Sequence, residues 1–323
     1  MSRVPARWAA AVDLGGSSLK SGLVADDGQV EAFERTPLDR GAGAEALFAA
    51  IDRDIQRILT GAGRLGISPV GIGVGSPGVI DASGRIHKSP NIPAMEGFPL
   101  RERLGALTGL PVHLANDVNA AVLGELKFGA GRSYRSFVMV ALGTGVGGGV
   151  VLNGRLHTGT QGFAGEVGHI TVDPDGPPCG CGNVGCLEGF VGAPGLVQRA
   201  CEILDTTGAD GPLSTISPLE MDAEAISQAA EQGDAVALQV LREAGRWLGV
   251  ALISVINLLD PECVLLGGGV AQAGAPLFDE IRRVVHERSI SGSPNGTLIL
   301  EATLGPRAGM YGAGALALWP ELT

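Results

Sequence analysis

The sequence lacks several features that would assign it to a common class of protein. Its 323 residues contain no run of about 18 apolar residues, which excludes a membrane-spanning helix. Basic residues are scarce, since 23 Lys and Arg stand against 34 Asp and Glu, and the net charge of −11 disfavours nucleic acid as a partner. The apolar stretch after Arg7 ends at Asp13, too early for a signal peptide. We therefore expect a cytoplasmic protein.

Two common phosphate-binding fingerprints are also absent. The chain has no Gly-x-x-x-x-Gly-Lys-Ser/Thr loop, and its glycine turns connect two strands, whereas the Rossmann motif connects a strand to a helix. Cysteine occurs only five times, and three of the five lie within eight residues, at positions 179, 181 and 186. In a cytosolic protein, such a cluster favours metal binding over disulfides.

Glycine, in contrast, is abundant, with 52 residues in the chain. No Gly-X-Y period is present, which excludes collagen, and the hydrophobic fraction of 45% excludes a flexible linker. The glycines occur in clusters, which are typical of turns where the backbone approaches a partner closely. We expect a globular protein with several ligand-binding turns.

Apolar periodicity and turn residues predict a mixed α/β chain. Strands are predicted over residues 8–13, 19–25, 29–36, 70–74, 111–115, 137–142, 146–152, 263–266 and 297–301. Helices are predicted over residues 44–60, 117–127, 222–232, 234–259, 275–288 and 307–318, and residues 204–221 are expected to form a loop. The length predicts about two domains, and we place their boundary near residue 120, giving residues 1–120 and 121–323.

A strand–glycine turn–strand unit opens each half of the chain, at Asp13-Leu-Gly-Gly-Ser-Ser-Leu-Lys20 and at Leu142-Gly-Thr-Gly-Val-Gly-Gly-Gly149. Turns without side chains can direct backbone N–H groups at phosphate oxygens. Ser17, Ser18 and Thr144 could add hydroxyl donors, Lys20 a positive charge and Asp13 a ligand for Mg²⁺. For either hairpin taken alone, the sequence favours an ordinary turn without a ligand. The repeat predicts two similar halves, with ligands bound in the cleft that separates them.

The segment Asn116-Asp117-Val118-Asn119 combines polar side chains at a strand-to-helix junction. Asp117 is a plausible N-cap of the helix, and that role alone could explain it. The flanking asparagines have no evident capping role, however. We therefore interpret the segment as a site for hydroxyl groups with Asp117 as the general base.

A third segment has the composition of a metal site. His169 and the thiols of Cys179, Cys181 and Cys186 supply the four ligands of a closed tetrahedral zinc site, which would be structural because no coordination position stays open. Reduced cysteines without metal are the alternative. Glu166 and Glu188 flank the segment, and this arrangement suits recognition of a polyol.

Together these motifs resemble the ROK family (repressors, open reading frames and sugar kinases) of the actin-like ATPase superfamily, over almost the whole chain. The resemblance rests on Asp13–Lys20, Gly75-Ser-Pro-Gly78, Asn116–Asn119, Leu142–Gly145, Ala164-Gly-Glu-Val-Gly-His169 and the cysteine segment through Glu188. It implies an α/β fold of two actin-like (RNase H-like) domains with a central ligand cleft and a last helix that packs back on the N-terminal domain.

The resemblance also implies the role of each site residue. Asp117 is the expected catalytic base for the 6-hydroxyl of a hexose. The expected sugar-binding residues are Gly75, Pro77, Gly78, Asn91, Asn116, Asp117, Glu166, His169 and Glu188. The expected ATP-binding residues are Asp13, Gly15, Gly16, Ser17, Ser18 and Lys20 in the first turn, Gly143, Thr144 and Gly145 in the second, and Gly267, Gly268 and Gly269 on the adenosine side.

The implied activity is ATP- and Mg²⁺-dependent phosphorylation of a hexose, with glucose as the first candidate, in a homodimer or homotetramer that also holds one zinc ion. A kinase of N-acetylglucosamine or N-acetylmannosamine, and a sugar-sensing regulator without catalysis, are the alternatives. Polyphosphate remains an alternative donor. The chain departs from the family pattern at Ser17, where threonine is usual, and at Met95, where tryptophan is common.

Overall fold

The computed structural model describes residues 5–16, 18–39, 41–81, 83–89, 91–290 and 296–323, so the predicted phosphate ligand Ser17 lies outside the described residues. The chain divides into two units. The first contains the residues up to Arg135 together with Gly149–Ala164 and Thr303–Thr323, and the second contains Ser136–Gly148 and Gly165–Ala302. This division differs from a single boundary near residue 120, because each unit is assembled from separate stretches of chain.

The strands lie close to their predicted positions. Their bounds are β1 Trp8–Leu14, β2 Ser18–Ala25, β3 Val30–Pro37, β4 Ile72–Ser76, β5 Val79–Ile80, β6 Ile86–Lys88, β7 Val112–Asn116, β8 Phe137–Leu142, β9 Val146–Leu152, β10 Arg155–His157, β11 Cys263–Gly267 and β12 Leu298–Glu301. The helices are α1 Ala44–Leu65, α2 Leu100–Thr108, α3 Asp117–Phe128, α4 Glu188–Val191, α5 Ala193–Thr207, α6 Ala223–Glu231, α7 Ala235–Leu259, α8 Ala275–Arg288 and α9 Ala308–Leu318.

The first unit is built on a five-stranded sheet in the order β3-β2-β1-β4-β7. Strands β1, β4 and β7 run parallel, whereas β2 and β3 are joined to β1 as antiparallel hairpins. The carboxyl ends of the three parallel strands therefore lie at one edge of the sheet. In α/β sheets this edge is where ligands bind.

Helix α1 covers one face of this sheet with an apolar stripe. Leu47, Ile51, Ile55 and Ile58 recur at helical spacing, are at most 1% exposed and belong to one core cluster with Val12 of β1 and other strand residues. Burial of each such side chain contributes about 1.5–3 kcal/mol. Because successive residues of a strand point to opposite faces, Val12 on the α1 side places its neighbour Asp13 on the other face of the sheet.

Helix α9 covers the opposite face and packs on α3 by close approach of the two backbones. A Cβ on Gly312 would overlap the carbonyl oxygen of Ala120, and a Cβ on Gly124 would overlap that of Ala308. Gly309 adjoins the Asp13 carboxylate, to which a Cβ there would come within 2.5 Å. These glycines serve helix packing, a role that the sequence analysis did not assign to any of the glycines.

The second unit contains β8, β11 and β12, which pair in parallel within a sheet of order β10-β9-β8-β11-β12. Helices α7 and α8 pack together, and Gly249 admits Val284 at their contact. The prediction of a loop over residues 204–221 was wrong at its start, because α5 continues to Thr207. In the part of the chain that the structure describes, no helix combines the length and the hydropathy that a membrane span requires.

A buried carboxylate connects two segments of the first unit that are distant in sequence. Glu125 of α3 is fully buried, and its side chain accepts hydrogen bonds from the N–H groups of Ala130 and Leu304, each at 2.8 Å, and from the hydroxyl of Thr303 at 3.3 Å. Three donors therefore depend on one side chain for their hydrogen bonds.

Replacing Glu125 by alanine should lower the free energy of unfolding by about 2 kcal/mol, because it removes the acceptor of three part-buried hydrogen bonds. Glu125→Gln should cost less, since the amide oxygen can still accept. The measurement is urea unfolding. The control is Glu102→Ala, which removes an exposed carboxylate of α2. A loss equal to that of the control would contradict this role.

Candidate active site

The sheet of the first unit brings three predicted site segments together. In the strand register Asp13 is opposite Gly75, Gly75 is opposite Ala115, and Ser76 is opposite Asn116. These residues end the parallel strands β1, β4 and β7, so Asp13 and Asp117 meet at the sheet's ligand-binding edge. A Cβ on Gly75 would lie 3.7 Å from Asp13 Oδ1 and 3.8 Å from Asp117 Cα.

Asn116 is the N-cap of α3, which corrects the expectation that the asparagines have no capping role. Its side-chain oxygen accepts from the N–H groups of Val118 at 2.9 Å and Asn119 at 3.1 Å, and its amide donates to the carbonyl of Gly78 at 3.1 Å. Asp117 is the first residue of the helix, and its Oδ1 accepts from the Val118 N–H at 2.9 Å. The capping alternative for Asp117 is therefore wrong.

The two carboxylates have perturbed protonation equilibria. Burial raises the pKa of Asp117 from 3.8 to about 6, and the negative charge of Asp13 contributes in the same direction. Burial also raises the pKa of Asp13, while the Lys20 ammonium, 3.3 Å from Asp13 Oδ2, opposes that rise. A carboxylate with a pKa near neutrality is suited to proton transfer.

The Gly75–Gly78 turn is held against the same edge. Gly78 has a φ of +101°, and a Cβ on it would overlap the Lys88 carbonyl oxygen. The hydroxyl of Ser89 donates to the carbonyl of Pro77 at 3.0 Å. Asn91 is exposed, and Met95, at the position where tryptophan is common, is fully buried. The predicted residues of this turn thus lie on a braced backbone beside Asn116.

In the second unit, the two other glycine turns adjoin each other. Gly268, with a φ of +91°, packs on the backbone of Leu142, immediately before the Gly143–Gly145 turn. Gly143 and Gly269 line one cavity of about 530 Å³, together with Ser227 and Gln228 of α6. Thr144 is the middle residue of the Gly143–Gly145 turn. The predicted phosphate turn and the predicted adenosine turn therefore border the same space.

Glu188 connects the second phosphate turn to the cysteine segment. Its Oε2 accepts from the Val146 N–H at 2.9 Å, and a Cβ on Gly145 would overlap that oxygen. A glycine is therefore needed at position 145, because the Glu188 carboxylate leaves no space for a side chain. Glu166 lies on the exposed side of a short turn that also carries His169, and the His169 N–H donates to the Glu166 carbonyl at 3.1 Å.

The four predicted metal ligands converge in the second unit. Ligand atoms of His169, Cys179, Cys181 and Cys186 all lie within 4.8 Å of one another. The Sγ atoms of Cys181 and Cys186 are 3.7 Å apart, and Cys179 Sγ is 3.6 Å from His169 Nδ1. Zinc bond lengths give tetrahedral edges of about 3.8 Å between two sulfurs and about 3.5 Å between sulfur and nitrogen. The cluster has the dimensions of a tetrahedral zinc site.

Asp117→Asn should stabilise the first unit at neutral pH, because folding raises the pKa of this carboxyl above its unfolded value. The unfolded chain then binds fewer protons between pH 4 and about 6, so wild-type stability falls as the pH rises through that window. We expect the variant to be more stable by about 2 kcal/mol at pH 7.5 and similar to the wild type at pH 4.

Urea unfolding at the two pH values measures this difference, with Asp27→Asn as an exposed control carboxylate. A variant that is less stable than the wild type at pH 7.5, or equally stable, would show that the Asp117 charge is well solvated.

The chain is similar to known proteins over nearly its full length. The model of the ROK family matches residues 9–319. A glucokinase of Halalkalibacterium halodurans is 36% identical over 98% of this chain and 96% of its own, and a glucokinase of Streptomyces coelicolor is 34% identical over 96% and 97%. A ROK family glucokinase from Streptomyces griseus, solved in complex with glucose and AMPPNP, superimposes with a TM-score of 0.80 at 34% identity, over 97% of this chain and 99% of that one.

Proposed function

Because the chain belongs to the ROK family, we propose that it is a glucokinase, which transfers a phosphoryl group from ATP to the 6-hydroxyl of glucose. The observation that carries the proposal is the meeting of Asp13, the Gly75 turn and Asp117 at one edge of the sheet. The similarity to two glucokinases extends over nearly the whole of each chain, which supports glucose as the acceptor.

In this proposal Asp117 accepts the proton of the sugar 6-hydroxyl as that oxygen attacks the terminal phosphorus of ATP. A pKa of about 6 keeps the carboxyl mostly ionised at pH 7 to 8 while it remains basic enough to take a proton. The Asn116 cap fixes the start of α3, and the carboxylate is thereby held at the strand edge. Phosphoryl transfer depends mainly on such positioning and on charge neutralisation.

The remaining predicted residues have proposed binding roles. Gly75, Pro77, Gly78, Asn91 and Asn116 in the first unit, and Glu166, His169 and Glu188 in the second, are proposed to orient the sugar. Asp13 is proposed to hold Mg²⁺, which neutralises phosphate charge when bound. Gly15, Gly16, Ser17, Ser18 and Lys20, then Gly143, Thr144 and Gly145, are proposed to contact the phosphates, and Gly267, Gly268 and Gly269 the adenosine.

We further propose that His169, Cys179, Cys181 and Cys186 bind a structural zinc ion. The distances within the cluster support this role. His169 directs Nδ1 at the cluster, and the other ring nitrogen, Nε2, is proposed to contact the sugar. The proposal also includes a cytoplasmic location and assembly as a homodimer or homotetramer.

A coupled assay of ADP release tests the function with glucose, mannose, fructose, allose, N-acetylglucosamine and N-acetylmannosamine, and with polyphosphate in place of ATP. The highest kcat/KM should be for glucose with ATP. A higher value for an acetylated sugar would make the protein a kinase of that sugar. Sugar binding without ADP release from any of them would identify a regulator.

Asp117→Asn should lower kcat on glucose by at least about 100-fold, because the variant has no base for the hydroxyl proton. Glucose affinity, measured by calorimetry, should change by less than about threefold. In the wild type kcat/KM should rise with pH up to about 6 and then level off, since the base must be ionised. Turnover near the wild-type rate in Asp117→Asn would remove Asp117 from this role.

Metal analysis of the purified protein should find about one zinc ion per chain. Cys181→Ala should reduce this content to well below one and should weaken glucose binding, because the segment around Glu166 and His169 loses its anchor. Cys201→Ala is the control, since Cys201 lies on α5, outside the cluster. Full zinc content in Cys181→Ala would refute the assignment.

A further inference from the structure

A row of charged residues crosses three strands of the first unit at the predicted phosphate hairpin. Lys20 on β2 is opposite Asp13 on β1 and also opposite Arg35 on β3. Opposite residues on neighbouring strands point to the same face of the sheet. Asp13, Lys20 and Arg35, here called the charged row, therefore lie on one face of the sheet, near the edge at which β1 and β4 end. Arg35 has no role in the function proposed above.

Arg35 uses only part of its hydrogen-bonding capacity on the protein. Its Nε donates to the hydroxyl of Ser18, a buried residue of the hairpin, at 3.0 Å. Within the described residues, no other hydrogen bond or ion pair of Arg35 is formed. The side chain is exposed, and each of its two Nη atoms carries two further N–H donors. The guanidinium is thus anchored at one nitrogen and presents the rest of its planar fork to solvent.

A β-bulge places Arg35 in the charged row. Leu23 is opposite Glu31, whereas Ser21 is opposite Glu34, so β3 has one extra residue between these pairs. Without that residue the register would set Glu34 opposite Lys20, and Arg35 would point to the other face. The bulge contains Ala32 with a φ of +52°, a backbone conformation that alanine rarely adopts. The strand therefore departs from regular geometry in a way that presents an arginine, not a glutamate, beside Lys20.

The charged row without Arg35 has no net positive charge to attract phosphate groups. Lys20 is paired with Asp13 at 3.3 Å, so these two residues together carry no net positive charge. Asp117 lies close to Asp13 and contributes a further negative charge. A triphosphate approaching this edge would meet two carboxylates and one ammonium unless another cation were present. Arg35 supplies a protein cation there in addition to the Mg²⁺ that Asp13 is proposed to hold, and a guanidinium fork matches the geometry of phosphate oxygens.

We propose that Arg35 is a phosphate-binding residue, which contacts the β- and γ-phosphates of the nucleotide through its Nη atoms while Ser18 holds its Nε. The proposal rests on the proposed function, in which the hairpin from Asp13 to Lys20 receives the phosphates of ATP. It extends the donor site from the β1–β2 hairpin to β3.

Calorimetric titration of AMP, ADP and ATP, each with Mg²⁺, tests the proposal in Arg35→Gln and in Arg53→Gln. Arg53 is an exposed residue of α1, which packs on the face of the sheet opposite to Arg35, so the control removes the same charge. In Arg35→Gln the Kd of ATP should rise about tenfold and that of ADP by a smaller factor, while the Kd of AMP should stay within about twofold. Arg53→Gln should bind all three as the wild type does.

A purely structural role for Arg35 gives a different pattern. If it only braced Ser18, all three nucleotides would lose affinity by the same factor, and that result would overturn the proposal, as would an unchanged ATP affinity. Arg35→Lys serves as a second variant should Arg35→Gln not fold. It keeps the charge without the fork, and we expect about a threefold weaker ATP affinity with the same order among the nucleotides.

The binding measurement is independent of turnover. A wild-type protein that binds ATP through Arg35 and phosphorylates no hexose would contradict the proposed function only. An active glucokinase whose ATP affinity does not depend on Arg35 would contradict this inference only.

Discussion

The cap that Asn116 places on α3 is the interaction on which the candidate active site depends. An uncapped helix start would require Asp117 itself to satisfy the first N–H groups, and its carboxylate would then be unavailable to a ligand. Asn116 accepts from the N–H groups of Val118 and Asn119, and Asp117 Oδ1 only shares the first of them. The amide of Asn116 also holds the Gly78 turn. One asparagine therefore sets the position of the base and of the loop beside it. Gly75 lies beside both acidic residues, and a Cβ there would come within 3.1 Å of the Cβ of Ala120 on α3.

In the second unit, Glu188 has a comparable connecting role. It begins α4 immediately after the cysteine segment, and it accepts a hydrogen bond from the turn that carries Gly145. The four-residue cluster therefore braces more than its own loop. A well-ordered cysteine segment holds Glu188 in place, and Glu188 in turn holds the turn whose backbone N–H groups are predicted to face a phosphate. A structural metal at this cluster would stabilise that turn without taking part in the reaction.

Features encoded by neighbouring residues were predictable from the sequence. The β1–β2 hairpin follows from an apolar strand ending in two glycines. The left-handed φ values of Asn153 and Gly154 are those of the tight turn that an Asn-Gly pair between two strands favours. The clustering of His169 with three cysteines follows from their spacing and from the small set of ligands that zinc accepts. The other site residues were inferred from the family resemblance. The ROK family match confirms the resemblance, and the roles of those residues stay predictions. The N-cap of α3 is local, but the sequence analysis placed it at Asp117, one residue after Asn116. The features that were missed depend on long-range packing: the bulge at Ala32 and the helix-packing glycines of α9 have no local signature.

The position of α9 has a consequence for how the chain can fold during synthesis. This helix packs against β1, β4 and α3, yet residues 303–323 leave the ribosome only after the whole of the second unit. The sheet face that contains Ala11 and Val24 therefore stays uncovered until more than half of the chain has been synthesised after the last strand of this sheet. During that interval the exposed sheet face is a natural target for chaperones and for aggregation.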